Sequence, residues 1–138
     1  MLGWLKQQFS SQSKPPLTGA PSVRRQKTYQ SQCGYVYQYY FAGSRSARSE
    51  LGPGHEFIFP VSADRKTEFL VAVQISDHDV AEWESQKGRE LLSKERYAIA
   101  KMALFAAFDQ RESVLEMAKP VFVGSAEIRE YLEQLGRD

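Results

Sequence analysis

LLSKERYAIAKMALFAAFD, Leu91 to Asp109, is the stretch on which the fold turns. Between Tyr97 and Phe108 only Lys101 is charged. Tyr97, Ile99, Ala100, Met102, Leu104, Phe105 and Phe108 therefore cover nearly the whole circumference of a helix, where a surface helix would show a single apolar stripe. Such a helix must be packed on more than one side. Ser93 supplies an N-cap whose hydroxyl accepts from the free N–H groups of the first turn, and Leu92 ahead of it can staple onto Tyr97. At 1.5 Å per residue the segment is roughly 25 Å long, the width of a small domain, and burying each large apolar side chain is worth about 2 kcal/mol. It is expected to be the central core helix.

Upstream of it the pattern changes period. In Phe69–Ile75, Phe69, Val71, Val73 and Ile75 alternate with Leu70, Ala72 and Gln74, so both faces are largely apolar and a central strand is expected. Phe57–Val61 alternates in the same way, but Pro60 cannot donate to a ladder and points to a sheet edge or strand end. Tyr35–Phe41 puts Tyr35, Tyr37, Tyr39 and Phe41 on one face of another strand. The turn Ala63–Thr67 joins two of these strands; Ala42–Gly54, with Gly43, Gly52, Pro53 and Gly54, reads as a long loop. Ser76 and Asp79 form an acidic variant of the capping box, opening a short helix that runs to Lys87 and stops at Gly88, with Val80 and Trp83 facing inward.

Downstream, Gln110–Glu116 continues or frays the core helix, and Val121–Val123 is a short apolar strand. Gly124 and Ser125 open a last helix with Ile128, Tyr131, Leu132 and Leu135 on one face and Gly136 as its stop. The order places the chain in the α+β class: a three-stranded antiparallel meander followed by two helices, then a short strand and a C-terminal helix.

Residues 33–138 read as a single α+β domain, and residues 1–32 as an N-terminal hook and flexible linker. Met1–Phe9 puts Leu2, Leu5 and Phe9 on one helical face with Trp4 beside them. So short a helix forms only against a support, and Trp4, Leu5 and Phe9 are candidates for contact with a partner or a membrane surface. Ser10–Gln32 is rich in Ser, Gln and Pro and reads as linker. The 138 residues carry 18 basic and 17 acidic side chains, which by itself implies no polyanionic partner. Seven Tyr and eight Phe favour an ordered domain containing a sheet. The single Cys33 cannot form an intramolecular disulfide, and Met1–Phe9 lacks the apolar core of a signal peptide. A cytoplasmic address in a bacterium-like cell is expected.

No catalytic constellation can be assembled. His55 and His78 fall in different elements, and Asp77, His78 and Asp79, being successive at a helix start, point in different directions. Their acidity suits the helix dipole. There is no phosphate-binding glycine loop ahead of a helix, no zinc spacing and no nucleophile elbow. Neither enzymatic activity nor a cofactor is expected. The expectation is a binding domain whose partner is another protein, with Arg45, Arg48 and His55 as ligand or partner residues, because a glycine-rich loop bearing donors is a good presentation surface. Two alternatives are a small-anion-binding regulatory domain and a nucleic-acid-binding module that adds Arg24, Arg25, Lys27 and Lys94 to those residues.

Gly52-Pro53-Gly54-His55, followed by strands and then by Ser93-Lys94 opening an Ala-rich helix, resembles the second half of a double-stranded RNA-binding domain, a family with a GPxH loop and a serine–lysine pair at the start of its last helix. The resemblance implies phosphate-backbone contacts to duplex RNA. Glu95, however, stands where that family has its second phosphate-contacting lysine, and a carboxylate there repels RNA. The helix Asp77–Lys87 is a further departure. Over Phe57 to Asp109, strand residues ending in Ile75-Ser76, a short helix, Leu92-Ser93 and a helix carrying Glu95-Arg96-Tyr97-Ala98 resemble a family of small bacterial domains of unknown function. That resemblance implies the fold and carries no activity. Arg45 and Arg48 stand one residue closer than the RxxxR element of cyclic-dinucleotide-binding PilZ domains, and no DxSxxG turn follows.

Overall fold

The computed structural model describes residues 14–137. Along the chain come β1 (Lys27–Gln30), β2 (Val36–Tyr39), β3 (Gly43–Ser49), β4 (Gly52–Ser62), β5 (Phe69–Ser76), α1 (Asp77–Lys87), α2 (Ser93–Gln110), α3 (Val114–Met117), β6 (Val121–Val123) and α4 (Ser125–Gln134). The α+β class holds, but the sheet has six strands and is mixed. Its main path runs β1-β2-β4-β5-β6, and the last pair is parallel.

The spine is β4, eleven residues long, and not the Phe69–Ile75 strand expected at the centre. One of its sides pairs with β5 from Gly54 to Val61; the other is shared between β2 at its end and β3 at its start. The switch from β2 to β3 is a bulge. Tyr40 N–H donates to Pro60 O and Ala42 N–H to Ile58 O, yet Gly43 is already opposite Ile58, so one extra residue has been inserted. This explains why Pro60 lies buried within a central strand and not at the expected edge: its missing donor falls where the ladder is already broken.

Two other expectations are corrected on this side of the sheet. Ala42–Gly54 is no loop, because Gly43–Ser49 forms β3 and pairs residue for residue with Gly52–Ile58. Lys27–Gln30, placed in the linker, forms β1 against β2. Tyr29 explains the second: its ring stacks on Phe105 at 4.7 Å and packs on Phe108 at 5.3 Å, so a single aromatic side chain anchors the strand. The proposed hook residues Trp4, Leu5 and Phe9 lie outside the described residues.

All the large helices cover one face of the sheet. Phe57, Phe59, Val61, Val71, Val73 and Ile75 meet Ile99, Leu104 and Phe108 of α2 there, with Trp83 of α1 and Ile128 and Leu132 of α4. On the other face Leu70 is 61% exposed, so β5 is interior to the sheet without being covered on both sides. Capping explains the helix boundaries. Ser76 Oγ accepts from His78 N–H and Asp79 N–H, and Gly88, at φ 70°, closes α1. At α2 the N-cap is Leu92, one residue before the expected Ser93, and the Glu95 carboxylate accepts from Leu92 N–H at 2.9 Å. The helix ends at Gln110 instead of continuing towards Glu116; Arg111 turns away and donates to the carbonyls of Glu116, Met117, Lys119 and Pro120.

Candidate functional site

The first turn of α2 is held by a buried ion-pair cluster. Glu95 is 1% exposed. Arg89 donates to both of its oxygens, at 2.9 and 3.0 Å, and Arg137 Nε donates at 3.1 Å. These charged donors, the Arg89 pair foremost, hold the Glu95 carboxyl down at about 2 against burial, and the same pair raises Arg89. The Arg89 guanidinium also lies over the Trp83 ring at 4.9 Å, and Leu91 N–H donates to Glu84 at 2.7 Å. With Glu95 turned inward, Ser93, Lys94, Arg96 and Tyr97 are presented outward on a rigid support.

They form one wall of a cleft of about 900 Å³. The β3–β4 hairpin is the second wall, and a strap of chain from Pro15 to Pro21 is the third. Phe41, Phe57, Leu91 and Tyr97 make its apolar lining, with Phe41 and Tyr97 ring centroids 4.9 Å apart. His55, Lys94 and Arg96 supply its basic and imidazole groups, and no carboxylate stands among the described residues that line it. This is the chemistry of a site for an amphipathic anion.

The expected site residues fare differently. Arg45 and His55 reach the same cleft, whereas Arg48 is exposed and not among its lining. Strand alternation puts the two arginines on opposite faces: Arg45 shares the face of its partner Glu56 and of Gln74, away from the helices, and borders the cleft only along the β3 edge, while Arg48 shares the face of Ser46 and His55 but lies beyond the cleft's end. Arg45 is also already committed. Its Nε donates to Glu56 at 2.6 Å, Gln74 donates to the same carboxylate at 3.4 Å, and Lys14 Nζ lies 4.0 Å from it. Glu56 is 3% exposed, so Arg45 chiefly neutralises a buried charge. The His55 Nδ1 atom is buried 3.5 Å from Asp77 Oδ1, within ion-pair range but without the alignment of a hydrogen bond.

Lys94 and Arg96 have no ion-pair partner among the described residues. Reading the sequence for binding residues brought up Lys94 only in the nucleic-acid alternative and passed over Arg96. The available signal was two cations flanking an inward glutamate at the start of a helix. The other basic residues of that alternative are divided. Arg24 stacks over Tyr40 at 4.3 Å on the face away from the helices, while Lys27 pairs opposite Tyr39 on the helix side, where burial lowers Lys101 and the Lys27 charge lowers it further.

A second groove, of about 650 Å³, lies between α2, β6 and α4. In it Arg111 donates to carbonyls and Glu127 accepts from Gly124 N–H. At the far end of α2, Asp109 fastens the β1–β2 turn: it accepts from Tyr29 at 2.7 Å and from Gln32 N–H at 3.0 Å, and Cys33 Sγ donates to its carbonyl. Burial and that carboxylate push Tyr29 up to about 12. No group of His, Cys, Asp and Glu side chains able to hold a metal occurs among the described residues.

Comparison with protein-family models, with curated proteins and with solved structures yields no match to this chain.

Proposed function

We propose that the chain is a non-catalytic binding domain that holds an acidic segment of a partner protein in the cleft between the Pro15–Pro21 strap, the β3–β4 hairpin and the start of α2. One observation carries the reading. Among the described residues Lys94 and Arg96 have no counter-charge, and they stand beside an apolar lining in a cleft with no carboxylate among its described lining residues. An unpaired cation next to buried apolar surface attracts a carboxylate more strongly than one fully in water, because the local dielectric is lower. A cytoplasmic setting is part of the proposal; none of the described helices is long and apolar enough to cross a membrane.

The test is a titration of isotope-labelled protein with hexaglutamate, followed by NMR. The expected result is a set of shifts centred on Ser93–Tyr97, Ser44–Ser46 and His55, abolished by Lys94→Glu with Arg96→Glu. Shifts that survive this double reversal sink the proposal. A duplex RNA probe that binds more tightly than hexaglutamate would move the reading to nucleic acid.

A further inference from the structure

The cleft borders an unfinished sheet edge. In the β3–β4 ladder, Gly43, Arg45, Ala47 and Ser49 are the residues whose backbone groups face β4, which is why Pro53, lacking an N–H, is tolerated opposite Arg48. The backbone groups of Ser44, Ser46 and Arg48 consequently point outward, away from β4. Ser44 uses them on the strap, with Ser44 N–H donating to Thr18 O at 2.8 Å and Thr18 N–H to Ser44 O at 2.9 Å.

Among the described residues this single antiparallel bridge is the strap's only pairing with β3. Continued in register, Pro16 would come opposite Ser46, and a proline has no N–H to give. The strap leaves β3 there, so that Pro15, Pro16 and Ser46 all line the same cleft. The outward N–H and C=O groups of Ser46 and Arg48 have no backbone partner among the described residues. Close seating of the strap depends on Gly43: at φ 123°, a Cβ there would lie 2.9 Å from Leu17 Cβ and 3.0 Å from Thr18 O.

We infer that the β3 edge from Ser46 to Arg48 takes an extended acidic segment of a partner protein as an added antiparallel strand, in line with the strap. The inference rests on the proposed function and specifies how the partner is held. Main-chain hydrogen bonds to Ser46 and Arg48 supply an affinity that does not depend on side chains, while alternate side chains of the guest reach the cleft. Charge selects the occupant. Arg48 beside the edge and Lys94 and Arg96 across the cleft favour carboxylates on the guest strand and repel a basic one.

The experiment uses a fluorescein-labelled octapeptide of alternating Glu and Val, its fully N-methylated counterpart, and the full chain as parent, Ser46→Pro, and Lys94→Glu with Arg96→Glu. N-methylation keeps the charges and removes the backbone donors. Binding by anisotropy is expected for the plain peptide and about tenfold weaker or worse for the N-methylated one, since two or more hydrogen bonds are lost. Ser46→Pro deletes only an outward N–H, and is expected to weaken the plain peptide comparably with a thermal melt near that of the parent. Equal affinity for the two peptides, with loss on the double charge reversal, overturns the added strand and leaves the cleft as an anion site. Sensitivity to N-methylation with indifference to the charge reversal overturns the cleft reading and keeps the strand. Failure of the plain peptide to bind the parent overturns the inference.

Discussion

Two buried carboxylates show how far a residue's role depends on what surrounds it. Glu95 titrates at about 2 in the folded chain against 4.5 when unperturbed. A depressed carboxyl stabilises the fold above its unfolded pKa, so this contribution, about 3 kcal/mol, is complete above pH ~5 and lost progressively towards pH ~2. Glu95→Gln is expected to cost about 3 kcal/mol at pH 7, leaving two arginines on a neutral amide, and to flatten the acid limb of the stability curve. Urea unfolding of parent and variant between pH 7 and pH 2.5 measures both effects; parallel curves would mean that Glu95 is not the acid-sensitive group. Glu56 makes a similar case at the sheet. Arg45→Ala strands that carboxylate and should cost about 3 kcal/mol, whereas Arg48→Ala at an exposed site should stay within about 0.5 kcal/mol. Equal melting temperatures for the two variants would show that Lys14 and Gln74 suffice to hold Glu56.

At the level of elements, α2 organises the molecule from both ends. Its first turn is locked by Arg89 and Arg137 through Glu95, and its last by the β1–β2 turn through Asp109. In between, Leu104 is fully buried against the sheet. Leu104→Asp places an unpaired carboxylate there at a cost of several kcal/mol, comparable to the whole stability of a small domain, and the variant is expected to be unfolded by circular dichroism. Deleting residues through Ser31 removes β1 and the Tyr29 ring from Phe105 and Phe108. The loss is expected to be about 3–5 kcal/mol, from burial and two aromatic contacts together. Deletion only through Gln26 keeps β1 and should melt higher. If both truncations melt alike, β1 contributes nothing to the fold.

Considered whole, the molecule carries a formal charge of only +1, so any attraction for an acidic partner arises locally in the cleft. Reversing Lys94 and Arg96 changes the net charge by 4, from +1 to −3, without touching a buried contact. The stability of the double variant is expected within about 0.5 kcal/mol of the parent. Binding of hexaglutamate to the parent should weaken steeply as ionic strength rises past about 0.15 M, where screening falls to about 8 Å. Affinity unchanged by salt would point to apolar contacts with Phe41, Phe57 and Tyr97 instead of to the charges.

The elements legible before folding are those whose signals are local. Apolar periodicity placed α2, the alternating cores of β4 and β5 and the last helix, and caps placed α1 between Ser76 and Gly88, because period and capping are properties of consecutive residues. That GSRSARS is a strand follows from long-range pairing alone. Its small polar residues carry no alternating apolar pattern, and its conformation comes from pairing with β4 after a bulge that no local signal announces. The same holds for the site. Arg45 reads as a ligand donor until Glu56 is found opposite it, Glu95 as a misplaced charge until Arg89 and Arg137 close on it, and Lys94 and Arg96 as ordinary surface until the strap and the hairpin wall them into a cleft. Each of these roles is set by groups distant in sequence, and burial and charge pairing are properties of the assembled neighbourhood, not of the residue.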